Sequence, residues 1–465
     1  MTISRRGFLS ASAALTLVPA FGARAWSAPL PREADIVVIG AGAAGISAAR
    51  RVMAAGRKVI VLEASGQIGG RCSTDAATFE APFDRGARWL HTPDSNALVK
   101  LARGAGIDVA PAPPSQKLRI GRRNARAGET EDLLATMVRA NRAIDDGARR
   151  GDMSCAAVLP KDLGDWAGTI DFVLGAYATG KDLKDLSALD QFRAQDRAID
   201  VATRQGLGAL MGKLGESLPV ALSTPATRIG WSGRDIGVET AAGRIAARAV
   251  IITVSSNVLA SGAIKFTPEL PKRQLDAASK LSLGSYDRIA LQFGGGNPLG
   301  LGRDELMIEQ SAGPRTAALF ANIGGTSLCT LDVAGSFGRD LSAQGEAAMT
   351  AFAVEWLAKL FGSDIAKAVK KSGATRWNAS PFVQGAMSAA APGGQASRRV
   401  LTEPMGNLFI AGEATHETLW GTVDGAWDSG ERAAEAALKK IGALKEPEPE
   451  KPTRAPKRRT RSSAE

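Results

Sequence analysis

The chain opens its ordered part with a change of period. Asp35-Ile36-Val37-Val38-Ile39 is a short unbroken run of branched apolar residues, which predicts a strand buried on both faces. It stops at Gly40-Ala41-Gly42-Ala43-Ala44-Gly45, and Ile46 to Ala55 then reads as a helix. Lys58-Val59-Ile60-Val61-Leu62 repeats the strand pattern and ends on Glu63. Farther on, Leu133 to Ala148 and Ser187 to Leu214 read as mostly helical. Ser285 to Phe293 alternates enough for a strand.

Both ends of the chain read differently. Ser4-Arg5-Arg6-Gly7-Phe8-Leu9 is a twin-arginine pattern, followed by an apolar run from Ala11 to about Phe21 and the small-x-small site Ala23-Arg24-Ala25. That layout predicts an export signal, with a mature chain beginning near Trp26 and a periplasmic location by the twin-arginine route. The apolar run is too short for a permanent anchor. Glu446 to Glu465 holds proline, both charges and no large apolar residue, so it predicts a tail that buries no core, with a basic cluster at Lys457, Arg458, Arg459 and Arg461.

Composition narrows the class. Of the 465 residues 45% are hydrophobic, ample for a large core, so wholesale disorder is excluded. Three cysteines exclude a disulfide framework, and two histidines leave few ways to build a histidine-rich metal site. The net charge of +11 implies a basic surface. The 52 glycines point to tight turns and close approaches of backbone to a ligand.

The order strand, GxGxxG, helix, strand, acid is the frame of a dinucleotide site. Gly40 permits the tight turn, Gly42 lets the backbone approach a pyrophosphate, and Gly45 lets helix and strand pack. The free N–H groups and dipole of the helix start favour the phosphates, and Glu63 would accept from ribose hydroxyls. This frame serves NAD and FAD alike. Gly69-Gly70-Arg71, just past Glu63 and Ala64, suits a longer ligand that runs on to a second ring system.

Here the chain resembles the flavin-containing amine oxidases, a family of monoamine, polyamine and bacterial amino-acid oxidoreductases. The likeness runs from about Asp35 to about Ile441. It rests on the GxGxxG unit with GGR, on Gly86-Ala87-Arg88-Trp89-Leu90-His91, on Ala249 to Val254, and on Leu408 to Thr415 with Gly421-Thr422-Val423-Asp424-Gly425-Ala426. The resemblance implies an α/β fold: a Rossmann-like FAD domain stitched from 26–95, 205–270 and 395–443, with a discontinuous α+β substrate domain from 96–204 and 271–394. It implies FAD contacts from Gly40, Gly42, Ala43, Ala44, Gly45, Glu63, Ala64, Gly69, Gly70, Arg71, Gly86, Ala87, Arg88, Trp89, Ala226, Gly412, Glu413, Thr422 and Val423, with Glu413 on the ribityl side.

The chain also departs from the family pattern. The family's lysine at flavin N5 is replaced by Arg288, in Asp287-Arg288-Ile289-Ala290-Leu291-Gln292-Phe293. Arginine keeps its charge and holds water in a forked geometry. The two positions that carry aromatic rings in many members fall at Met387 and Thr422, with Trp420 or Phe382 as substitutes. A flavin-linking cysteine would fall near Ala386, which implies non-covalent FAD. Cys72, Cys155 and Cys329 read as incidental. His91 is the candidate to orient the amine or relay a proton, with His416 a second ring toward the flavin. The expected function is oxidation of a mono- or polyamine to an imine, with electrons passed to oxygen or a periplasmic acceptor. Two alternatives stand: an amino-acid oxidase or tryptophan 2-monooxygenase-like enzyme using Arg288 for a carboxylate, and an FAD-binding protein without amine turnover. Neither a nucleic-acid partner nor a transmembrane span is implied, and the amine and the oligomeric state stay open.

Overall fold

A computed structural model describes residues 29–113, 116–197 and 199–444. The expected export signal and basic tail lie outside the described residues. No described helix is long and apolar enough to cross a membrane.

The predicted first unit is present. β1 (Glu33–Ile39) leads through the glycine turn to α1 (Ala43–Ala54) and on to β2 (Val59–Leu62). β1 lies between β2 and the long strand Gly243–Ile252, parallel to both, with Val37 opposite Ile60 on one side and Val250 on the other. Leu408–Ile410 pairs with that long strand in parallel as well, so segments nearly 400 positions apart in sequence complete one eight-stranded sheet. Alternate residues feed opposite cores. Ile36, Val38, Val61 and Ile251 pack with α1 and the last helix, Val423–Lys440. Val37, Ile39, Ile60 and Val250 pack with Leu259, Ala277 and Leu401 from helices on the far side. A strand covered on both faces has no polar face, which is why the sequence shows an unbroken apolar run.

A second, seven-stranded sheet runs Val369–Ala374, Tyr286–Phe293, Leu328–Ala334, Ala318–Ala321, Glu305–Glu309, Gln116–Ile120 and Arg123–Asn124. Ile289, Leu291, Leu331 and Val333 face a helical layer holding Phe352, Trp356 and Leu357. By the period of two, Arg288, Thr330 and Asp332 lie on the other face.

One expectation needs correction. Leu133 to Ala148 falls inside the helix Ala127–Arg150, but Ser187 to Leu214 is not one helical stretch. It breaks into a helix at Ala188–Arg193, a strand at Asp200–Thr203 and a helix at Leu207–Gly215. The strand forms because Trp89–His91 and Val109–Pro111 flank it on either side, antiparallel, and three short strands satisfy one another's backbone groups.

Candidate functional site

One cavity of about 1520 Å³ runs between the two large sheets. Small-molecule sites commonly measure about 300–1,000 Å³, so this volume exceeds a single small substrate. One end is lined by Gly40, Gly42, Ala43, Ala44, Glu63 and Ala64, the other by Trp89, His91, Tyr177, Tyr286, Arg288 and Trp420.

The first end fits a dinucleotide. α1 begins at Gly42 with no side-chain cap and no acidic residue in its first turn, so its opening N–H groups are left for an anion. A methyl group at Gly42 would meet nothing nearer than the Gly69 carbonyl at 3.9 Å, so the space beside it is open. Gly45 does not line the cavity; a Cβ there would lie 1.9 Å from the Gly40 carbonyl, so this glycine serves packing. Glu63 holds the turn together. One oxygen accepts from the Ala41 N–H at 2.7 Å and the other from the Ser65 N–H and hydroxyl at 2.8 and 2.7 Å.

Apart from Gly45 and His416, every residue that the sequence assigns to cofactor or substrate lies on this cavity wall, including Ala226, Met387 and Val423. Several of them have their polar atoms occupied by the protein. Glu413 accepts from Arg71 at 2.7 Å, from the Ser388 hydroxyl at 2.6 Å, and from the Ser388 and Gly421 N–H groups at 3.1 and 2.8 Å. Four donors fill both carboxylate oxygens, leaving little for a ribityl hydroxyl. Burial works to raise its pKa, and Arg71 with the Ser388 hydroxyl more than offsets that. Thr422 caps the last helix, accepting from the Gly425 N–H at 3.0 Å and donating to the Leu419 carbonyl at 2.6 Å. Arg71 also donates to the Ala386 carbonyl at 2.6 Å.

Arg288 is occupied as well, and here the expectation changes. It is 4% exposed. Its Nε donates to Asp332 at 2.7 Å, and its Nη1 donates to the Asp84 carbonyl and, at 2.9 Å, to that of Gly86. Nη2 lies 3.5 Å from the second Asp332 oxygen, which accepts the Tyr286 hydroxyl at 2.8 Å. Burial disfavours its charge, and Asp332 more than offsets that, so its pKa stands above the ordinary arginine value. The guanidinium is therefore paired and permanently charged, with its Nη2 edge alone left for water. It has no open fork for a substrate carboxylate, so the role proposed for it in an amino-acid oxidase is not available to it.

His91 stands directly opposite Asp200 in the three-stranded sheet, with Nδ1 2.6 Å from the carboxylate. His416 does not line the cavity. Its Nδ1 accepts from the Thr418 and Leu419 N–H groups at 3.3 and 2.9 Å, so the second-histidine expectation fails. Cys72 lines the wall, but burial pushes its thiol up to about 12. Cys155 and Cys329 are buried and unpaired with any disulfide. Among the described residues no cluster of ligating side chains could hold a metal ion.

Several site residues escaped the sequence reading. The chain contains two tyrosines, and both line the chamber. Tyr177 and Tyr286 stack with centroids 6.0 Å apart, and Phe172 extends the stack from Tyr177 at 5.6 Å. Burial pushes the Tyr177 phenol up to about 12. Aromatic walls thus exist although Met387 and Thr422 are not aromatic. Trp420, 1% exposed, adds a ring to the same chamber. The rarity of tyrosine, and the place of Tyr286 two residues before Arg288, were the signals available.

Comparison with known proteins agrees with this geometry. The sequence model of the family described as flavin containing amine oxidoreductase matches residues 43–438. Human lysine-specific histone demethylase 2 is 26% identical over 455 aligned positions, which cover 86% of this chain and 53% of that protein. Rice polyamine oxidase 5 is 28% identical, covering 86% of this chain and 87% of its own length. The chain spans about half the length of the human and mouse demethylases it matches. Among solved structures, a putrescine oxidase bound to putrescine superposes with a TM-score of 0.75 at 20% identity, covering 88% of this chain and 99% of that one. Cyclohexylamine oxidase from Brevibacterium oxydans IH-35A gives 0.74 at 19%, covering 88% and 100%. At such identity the structural likeness speaks for the fold.

Proposed function

The chain belongs to the flavin containing amine oxidoreductase family, and on that footing we propose that it binds FAD non-covalently and oxidises an amine at the carbon next to nitrogen. The observation that carries this reading is the continuity of the cavity, from the uncapped start of α1 to the aromatic chamber at Tyr177 and Tyr286. A dinucleotide and a small substrate would share that one volume. When bound, the flavin accepts a hydride equivalent from the substrate carbon.

The chain's residues supply the rest. Asp200 holds His91 by Nδ1, which leaves Nε2 to take the proton of a substrate ammonium. With its nitrogen neutral, the amine gives up its C–H hydrogen with the electron pair, and the resulting imine is hydrolysed by water to a carbonyl compound and ammonia or a smaller amine. Tyr177, Tyr286 and Trp89 wall the chamber, orient the substrate and exclude water. Alanine at 386 puts no thiol beside the flavin. Arg288, its charge offset by Asp332, is a poor substitute for a lysine that holds water. We therefore assign slow reoxidation by oxygen and faster reoxidation by a carrier. From the twin-arginine pattern at Arg5 and Arg6 we also propose export to the periplasm, on residues outside the described part.

Anaerobic mixing of the holoprotein with mono- and polyamines and amino acids tests the reading, followed by reoxidation with oxygen or cytochrome. Bleaching of the flavin by at least one amine supports it. Bound flavin that no amine bleaches makes the chain an FAD-binding protein without amine turnover.

A further inference from the structure

Simple alkylamines arrive as cations at neutral pH, and negative charge in a chamber would favour their entry. This chamber is furnished the other way. Arg88, Arg197, Arg288 and His91 all line it. Asp332 is spent on Arg288, Asp200 on His91 and Glu413 on Arg71, while Asp196 also lines the wall, so the arginines outnumber the acids there. Arg88 and Arg197 have no carboxylate within ion-pair distance among the described residues. Arg88 donates to the Thr330 hydroxyl at 2.7 Å and lies over the Phe320 ring at 4.5 Å, so packing holds it on the sheet.

Arg197 is held more loosely. Its Nη2 donates to the Trp420 carbonyl at 2.6 Å and its guanidinium lies 5.0 Å from the centre of the Trp420 ring. Its Nε is buried with no partner. Such a donor is costly unless a ligand completes it. The carbonyl that Arg197 holds belongs to the residue just before Gly421 and Thr422, both small. Gln191 and Gln195 line the wall from the same stretch. Burial, first of all, lowers the Arg197 pKa from its very high ordinary value, and the group stays a cation at neutral pH.

We infer that the substrate is an amine that also carries a carboxylate, with Arg197 as the anchor for that carboxylate. The inference rests on the amine-oxidising reading and narrows it. The ammonium end meets the His91–Asp200 pair, and the carboxylate meets the Arg197 guanidinium, which feels Asp424, Glu413 and Asp190 from a distance but pairs with none of them. The role that the sequence offered to Arg288 falls to Arg197.

The test uses the FAD-loaded protein and matched pairs: 2-phenylethylamine with phenylalanine, and pentylamine with 5-aminopentanoate. Flavin reduction is followed anaerobically in wild type, Arg197→Gln and Arg197→Lys, with flavin content confirming that each variant is folded. Charge-assisted hydrogen bonds predict at least about a tenfold preference for the carboxylate-bearing member of one pair. Arg197→Gln removes the preference, slowing reduction by the carboxylate-bearing member about tenfold more than by the bare amine, while Arg197→Lys keeps part of it. Bare amines that reduce the flavin as well as their partners overturn the inference and leave the amine reading standing. If no compound reduces the flavin, the amine reading falls, and the anchor is judged by binding alone. For that, hexanoate is titrated against the absorbance of the bound flavin. Weakening of about tenfold or more in Arg197→Gln supports the anchor, and equal affinity in the two proteins overturns it.

Discussion

Arg288 and Asp332 stand directly opposite one another on neighbouring antiparallel strands, and the guanidinium reaches the carboxylate at 2.7 Å with both side chains 5% exposed. The pair makes the site's most conspicuous cation electrically quiet. A buried ion pair contributes little net stability when intact, yet breaking it strands a charge. Asp332→Asn is therefore expected to lose about 3–5 kcal/mol in denaturant unfolding. Arg288→Met with Asp332→Leu, which removes both charges, should lose much less. A loss under about 1 kcal/mol for Asp332→Asn, below the range for a broken buried pair, would show that the pair is solvated.

The glycines of the turn separate ligand approach from packing. Gly42→Ala adds a methyl that meets no protein atom closer than 3.9 Å, at an ordinary negative φ. Apoprotein stability should stay within about 0.5 kcal/mol, as for a strain-free substitution, while flavin content falls. Gly45→Ala drives its methyl to 1.9 Å from the Gly40 carbonyl and should destabilise the apoprotein itself. Calorimetry of both apoproteins with flavin quantitation checks the contrast; normal flavin content in Gly42→Ala would count against a cofactor at this end.

Asp84 gives a pH signature. Burial pushes its carboxyl up to about 6 from an ordinary 3.8, against the pull of the Thr74 hydroxyl and Arg288. A raised pKa means that the folded state holds the proton more tightly than the unfolded chain. The associated stability is complete below the ordinary value and is lost as pH rises through about 6. Relative to wild type, Asp84→Asn should thus gain stability between pH 4 and pH 7 in urea melts. A stability difference that is flat over that range would contradict this.

Much of the fold was legible because it is local. The run Asp35–Ile39, the glycine turn and Lys58–Leu62 are contiguous, and the sheet's two covered faces write themselves into an unbroken apolar string. The site was legible only where one partner carried the signal. His91 and Arg288 stood in recognisable segments, but Asp200 and Asp332 lie 109 and 44 positions away and meet them through strand register. Nothing local marks Asp200 or Arg197, since both sit in a stretch whose helical look depended on ignoring two neighbouring strands. The occupation of Glu413, Thr422 and Arg71 by protein donors and acceptors was likewise invisible in one dimension.

Export is tested by lysines at the two arginines that the twin-arginine pattern requires. Arg5→Lys with Arg6→Lys should leave precursor and flavin in the cytoplasmic fraction, with wild type in the periplasm. Equal periplasmic yield from the variant would remove the twin-arginine assignment.

Hydride transfer from the carbon next to nitrogen is tested by anaerobic reduction of the bound flavin with an amine, compared with the same amine deuterated at that carbon. Amine oxidation predicts loss of the oxidised flavin absorbance in a single turnover, slowed several-fold by deuterium, with one equivalent of carbonyl product after quenching. A holoprotein whose flavin stays oxidised with every amine and amino acid offered would contradict it.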